Sequence, residues 1–363
     1  MRMKYQGRLG LQQRVVPNYR VEFFDALAQA CEGGLGVFGG IARPVEGITA
    51  GELHVAKQFP ASNIHLLSGP VYLCYQRGLI DWLEAWNPDA LIVEANPRYL
   101  ATGSAMRWMH ARGRRVVGWG LGAPLLTGPL KALRGQRRQA MLRRFDALIT
   151  YSRRGADEYA RLGYPRERIF VAPNAAARRP SAGMPGKAAT AERRSLLFVG
   201  RLQRRKRVDA LLRACAALPE PRPRLVIVGD GPQRQELQAL ARGLYPEAEF
   251  AGARHGEQLK PYFSEADLFV LPGTGGLAIQ EAMANGLPVI VARGDGTQDD
   301  LVRPGNGWQI APEDESALRE TLRLALSDVQ RLRRMGEESY RIVRDEINIE
   351  KMVEVFVEAV KAT

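Results

Sequence analysis

Short apolar runs alternate with helical segments twice along this chain, and that alternation limits the folds open to it more than any other feature. In the first half LGVFGG, DALIVEA, RRVVGWGLG and DALITYS read as buried strands, with helices such as YLATGSAMRWMHARG between them. The second half repeats the pattern with SLLFVGR, PRLVIVGDG, DLFVLPG and LPVIVARG, and its helices are expected to start near Val208, Gln233, Gln258 and Leu277. Strands that alternate with helices in this way build doubly wound parallel sheets, so the fold class is α/β with one such sheet in each half.

A chain of 363 residues, 45% apolar and 25% charged, is long enough for two cores at roughly 150 residues each. The segment ARRPSAGMPGKAATAERRS, residues 177–195, is rich in Pro, Gly, Ala and Ser and has no apolar period, which marks a linker. The expected division is a first domain over residues 1–178, a linker over 179–194, a second domain over 195–345 and a terminal helix over 346–363. The first twenty residues lack the apolar core of a signal peptide, and no apolar run reaches the ~18 residues of a membrane span, so the expected location is the cytoplasm. Cys31, Cys74 and Cys215 are odd in number and far apart, with no metal-binding spacing, and are read as reduced, buried thiols.

A net charge of +13 implies an anionic partner. In GPLKALRGQRRQAMLRRFDALITYS, Lys131, Arg134, Arg137, Arg138, Arg143 and Arg144 stand among Leu130, Leu133, Met141 and Phe145 at helical spacing. Such a helix either lies on an anionic bilayer or is a solvated helix docked on its own core. Nucleic acid is not expected, because the basic stretches lack interleaved aromatics.

Two stretches look built for phosphate. LFVLPGTGGLAIQEAMANGLPVIVARGD, residues 268–295, fits the dinucleotide fingerprint, with Gly273, Gly275 and Ala278 in the glycine spacing and Asp295 about 20 residues on. These letters suit a nicotinamide cofactor or another diphosphate equally. FVGRLQRRKRVDALLRA ends a strand at Gly200, follows it with Arg201 and sets Lys206 just before a helix, so two cations sit at the mouth of a parallel sheet. LVIVGDGPQRQEL adds a second glycine turn at Gly229 and Gly231.

In order, FVGRL with Lys206, VGDGP, PYFSEADLFVLPG, GLAIQEAMANGLPVIV and NGW resemble the nucleotide-sugar domain of the retaining glycosyltransferases of family four. The resemblance runs over roughly residues 196–311 and is weaker in FDALITYSRRGADEYARLG and IFVAPNAA of the first half. It implies the GT-B architecture: two facing Rossmann-like domains, a cleft between them, and a C-terminal helix, here EINIEKMVEVFVEAVKAT, that returns to the first domain. It also implies transfer of a sugar from a nucleotide-diphosphate sugar of UDP or GDP type to a saccharide or lipid-linked acceptor, as in bacterial cell-surface polysaccharide or lipopolysaccharide synthesis. Peripheral attachment to the inner face of the membrane would follow from a lipid-linked acceptor.

Residue by residue, the resemblance assigns Arg201, Lys206 and Glu281 as the catalytic set. Gly200, Gly229, Gly275, Gly276 and Leu277 would receive the diphosphate, Glu281 the ribose, and Ala253 with Arg254 the base. The leaving diphosphate would take the acceptor's proton from the front side, with Arg201 and Lys206 offsetting its charge and with no metal or cofactor. Two departures stand out. The family carries two glutamates separated by seven residues, but the first position is Gly273; and a histidine of the first domain is replaced within VVGWGLGAP, where Trp119 would serve. Asn18, Tyr19 and Arg20, after the first strand, complete the expected acceptor side. The competing readings are a nicotinamide dehydrogenase, which leaves Arg201 and Lys206 without a purpose, and a degenerate GT-B domain that binds sugar nucleotides or anionic surfaces without catalysis.

Overall fold

The computed structural model describes residues 4–128, 130–181, 183–186, 193–294 and 296–362. The chain forms two units, Met1–Ala176 with Ile349–Thr363, and Ala177–Asn348. In the first unit the elements are β1 (Leu9–Val15), α1 (Val21–Gln29), β2 (Leu35–Gly40), β3 (Lys57–Pro60), β4 (Ser62–Leu66), β5 (Leu73–Arg77), α2 (Leu79–Trp86), β6 (Ala90–Glu94), α3 (Thr102–His110), β7 (Arg115–Gly120), α4 (Lys131–Leu142), β8 (Ala147–Thr150), α5 (Arg153–Arg161) and β9 (Ile169–Val171). The second unit holds β10 (Ser195–Val199), α6 (Val208–Ala216), β11 (Arg224–Val228), α7 (Arg234–Leu244), β12 (Glu249–Gly252), α8 (Lys260–Glu265), β13 (Leu268–Leu271), α9 (Ala278–Ala284), β14 (Val289–Ala292), α10 (Thr297–Leu301), β15 (Gly307–Ile310), α11 (Glu315–Leu326) and α12 (Val329–Asp345). The last helix, α13 (Ile349–Lys361), packs in the first unit against α1, β8 and β9.

Both main sheets are parallel and doubly wound. The first runs β3-β2-β1-β6-β7-β8-β9 and the second β12-β11-β10-β13-β14-β15. In each, two strands step outward from the first and the chain then crosses back to build the other half, so the strand order reverses between β1 and β6 and again between β10 and β13. The pleat distributes the apolar runs to both faces: Ile92 joins α1 and α13 in one core, while its neighbours Leu91 and Val93 join α2 and α3 in the other. The three cysteines are buried and free.

The central strands lie where the apolar runs put them. β3, β12 and β15 are edge strands of four residues, and β4 and β5 form a separate antiparallel hairpin with exposed alternate positions. None of these has the continuous apolar letters of a strand covered on both faces. The helix expected near Gln258 is a single 3-10 turn, Gly256–Leu259, and α8 starts two residues later because Pro261, which has no N–H to donate, suits its first turn.

Candidate functional site

In the second unit β10 and β13 pair only at Leu196 with Leu268 and at Leu197 with Phe269. Beyond those pairs the strands part, opening the crevice at the carboxyl ends where ligands bind in sheets of this kind. Two loops enter it, residues 200–206 from β10 and residues 272–277 from β13. They are tied together: the Thr274 N–H donates to the Arg205 carbonyl at 2.9 Å, and the Lys206 Nζ donates to the carbonyls of Thr274, at 2.9 Å, and Gly275. Lys206 is only 6% exposed. Burial, reinforced by the neighbouring Arg205 charge, brings its ammonium down to about 8.

The glycines here are required by close approach. A side chain at Gly229 would place its Cβ 1.9 Å from the Gly200 carbonyl oxygen, so the turn after β11 lies directly on the end of β10. Gly275 sits at φ +64°, and a Cβ at Gly276 would stand 3.6 Å from Lys206 Nζ. Among the described residues the N–H groups of Gly275, Gly276 and Leu277 make no hydrogen bond, and Leu277 leads directly into α9. The crevice therefore combines one buried cation with three unengaged backbone donors, an arrangement suited to a phosphate.

Gly273 explains the missing first glutamate. Its Cβ would fall 2.1 Å from the Arg205 carbonyl oxygen and 2.5 Å from the Lys206 Cα. The 3-10 turn Arg204–Lys206 occupies that space with backbone, so no side chain fits there.

The fold brings Gly200, Lys206, Gly229, Gly275, Gly276 and Leu277 to this edge. Arg201 is exposed one residue past Gly200, and Glu281 is half-buried in α9. Ala253 and Arg254 are both exposed in the loop after β12, where the Arg254 guanidinium turns back on the Ala253 carbonyl at 2.9 Å. Asp295, the acid of the dinucleotide fingerprint, lies outside the described residues.

In the first unit a cavity of about 840 Å³ opens at the corresponding edge. Tyr19, Arg20 and Trp119 line it, while Asn18 does not: its N–H is engaged by the Thr49 carbonyl at 2.9 Å in the 3-10 turn Asn18–Arg20. The Arg20 guanidinium is buried among the rings of Trp119, at 5.2 Å, and Tyr151, at 5.6 Å, and donates to Asn174 Oδ1. Trp119 is mostly core, edge-on to Phe356 at 4.9 Å, with its indole nitrogen unpartnered among the described residues. It is therefore chiefly a wall of the cavity.

Sequence reasoning missed Glu94. It ends β6 at the switch point, accepts the Arg14 N–H at 2.5 Å, and lines the cavity. Burial lifts its carboxyl to about 7, against the opposing influence of Arg14. The available signal was an acid at the carboxyl end of an apolar strand, in DALIVEA.

The basic segment forms α4, in which only Leu142 is buried. Leu130 and Leu133 are exposed, Arg134 and Arg138 donate to the carbonyls of Thr127 and Pro124, and Arg144 to that of Gly103. Lys131, Arg137 and Arg143 are exposed to solvent.

Comparison with known proteins agrees with this division. Residues 26–175 match the glycosyl transferase 4-like domain, and residues 185–342 match glycosyl transferases group 1. The GDP-mannose-dependent alpha-mannosyltransferase of Mycobacterium tuberculosis is 42% identical over 123 residues, which are 32% of this chain and 30% of that protein. The sulfoquinovosyl transferase SQD2 of Arabidopsis thaliana is 35% identical over 127 residues, 34% of this chain and 22% of that one. The matches thus span less than a third of these relatives' lengths. Among solved structures, Anabaena HepE in complex with UDP superposes with a TM-score of 0.73 at 17% identity, covering 98% of this chain and 100% of HepE. At that identity the likeness speaks to the fold, two doubly wound parallel sheets in the GT-B pattern. With a 4-like domain followed by a group 1 domain on that fold, the chain belongs to the glycosyltransferases of group 1, family-four type.

Proposed function

We propose that this chain is a retaining glycosyltransferase that moves a sugar from a UDP- or GDP-linked donor to a saccharide or lipid-linked acceptor. The observation that carries the reading is the pairing of buried Lys206 with the unengaged N–H groups of residues 275–277 at the switch point of the second sheet. The diphosphate sits on those donors, Arg201 and Lys206 offset the charge that grows as the sugar leaves, and Glu281 accepts from the ribose hydroxyls. Ala253 and Arg254 border the base. The departing diphosphate takes the acceptor proton, so no metal ion takes part, and EDTA leaves turnover unchanged. HepE, which shares the fold, is a protein solved with UDP, which supports a nucleotide donor.

The first unit supplies the acceptor site through Tyr19, Arg20 and Trp119, and the exposed cations of α4 hold the protein on the anionic inner face of the cytoplasmic membrane, where surface polysaccharide or lipopolysaccharide is built. Among the described residues no helix is long and apolar enough to cross a membrane. Gly273 favours one second reading, a domain that binds sugar nucleotides without turnover.

The test is a panel of sugar nucleotides screened for thermal stabilisation, followed by turnover with the best donor. Arg201→Ala and Lys206→Ala each lower turnover by about 10² or more while remaining folded. Stabilisation without any transfer to saccharide or lipid-linked acceptors would select the non-catalytic reading.

A further inference from the structure

The cavity of the first unit has a division of chemistry that sugar transfer does not by itself require. Five arginines, Arg20, Arg98, Arg134, Arg137 and Arg138, line it against a single carboxyl, Glu94. Arg20 is 5% exposed; its side-chain partners are Asn174 Oδ1 and the Met352 sulfur, and it makes no ion pair among the described residues. Arg138 is fixed by its bond to the Pro124 carbonyl at 2.8 Å. Its guanidinium is held below the ordinary value first by burial and then by the like charges of Arg134 and Arg98. Crowding cations that are buried or partly buried, as Arg20, Arg98, Arg134 and Arg138 are, costs free energy unless an anion joins them. Glu94 is a poor counter-ion, because burial leaves much of it uncharged near neutral pH.

The rest of the wall is apolar and uncovered. Of the seventeen large apolar side chains exposed among the described residues, seven line this one cavity; Leu125, at 96%, is the most exposed, with Leu121, Leu130 and Leu133 near it in the chain. Single exposed leucines are ordinary, whereas a cluster rimming a cavity marks a binding surface.

We propose that this cavity takes an amphiphile with a phosphate-bearing head, the phosphate lodged among Arg98, Arg137 and Arg138 and the hydrocarbon laid along the leucines of residues 121–133. This narrows the acceptor in the transferase reading, on which it rests, to a lipid-linked phosphate. Charge complementarity selects the head and the exposed leucines select the tail.

The test is a titration with farnesyl phosphate, farnesol and inorganic phosphate, each below its aggregation concentration, with UDP and GDP titrated in parallel. Farnesyl phosphate is expected to bind at least about tenfold more tightly than either fragment, since it uses both halves of the wall. The double variant Arg98→Gln/Arg137→Gln lowers farnesyl phosphate affinity about tenfold or more and leaves farnesol unchanged. Leu125→Ser/Leu130→Ser, at exposed positions where folding is not at stake, lowers farnesyl phosphate affinity and leaves inorganic phosphate unchanged. Equal binding of farnesol and farnesyl phosphate overturns the phosphate site. Inorganic phosphate binding as tightly as farnesyl phosphate overturns the lipid and points to a free phosphorylated sugar. If farnesyl phosphate fails to bind while UDP or GDP binds, this inference falls and the transferase reading stands; if neither nucleotide binds, the transferase reading falls.

Discussion

The ammonium of Lys206 donates to the carbonyl of Thr274 at 2.9 Å, so the loop after β10 and the loop after β13 are held together at the point where the sheet reverses its strand order. That tie keeps a cation in a buried place beside the backbone donors of residues 275–277, ready for an anion without further reorganisation.

It also gives donor binding a pH dependence. Lys206 gives up its proton as the pH rises through about 8, so above that value the site must take up a proton to meet a diphosphate. Affinity for the nucleoside diphosphate is expected to fall by up to about tenfold per pH unit between pH 8 and 9.5. Calorimetry of wild type and Lys206→Arg across this range checks it, with a flatter profile expected for the arginine, which stays charged. In the ligand-free protein the sign reverses: the unfolded chain keeps this proton up to about 10.5, so the Lys206 contribution to stability rises with pH between about 8 and 10.5.

Gly273→Ala forces the two loops apart, because the new methyl would stand 2.1 Å from the Arg205 carbonyl oxygen. The expected cost is about 1–3 kcal/mol of stability with a tenfold or greater loss of donor affinity. Chemical denaturation and UDP titration measure both. Gly273→Glu fares no better, since a carboxylate restored at this position meets the same backbone; improved turnover in that variant would contradict the packing.

How much of this was legible in the letters follows from what each strand touches. β10, β11, β13 and β14 are covered on both faces, so their apolar runs announced them, and the glycine turns at Gly200, Gly229 and Gly275 marked their carboxyl ends. β12 and β15 lie at sheet edges and are partly exposed, which breaks the run that would reveal them. Lys206 was readable as a cation near the turn. That its ammonium turns inward onto Thr274 and Gly275 was not, because a tertiary contact over 68 residues leaves no local pattern. The cavity of the first unit was half legible: Tyr19 and Arg20 follow the first strand, but Arg98 and Leu125 join them only through the winding of the sheet.

The exposed cations of α4 make a separable prediction. Replacing Lys131 and Arg143, which do not line the cavity, with Gln is expected to weaken binding to anionic vesicles about 30-fold at low salt, at about 1 kcal/mol per charge. Binding to neutral vesicles and to UDP stays unchanged. Wild-type vesicle binding by the double variant would reduce α4 to a solvated face.

The central claim is that the crevice of the second sheet holds the diphosphate and ribose of a sugar nucleotide. Titration calorimetry of UDP and GDP against wild type, Lys206→Ala and Glu281→Ala tests it most directly. The expected result is saturable binding of one of the two by wild type, weakened about tenfold or more in each variant through loss of a charge-assisted hydrogen bond. Binding of neither diphosphate, or equal affinity in all three proteins, would contradict it.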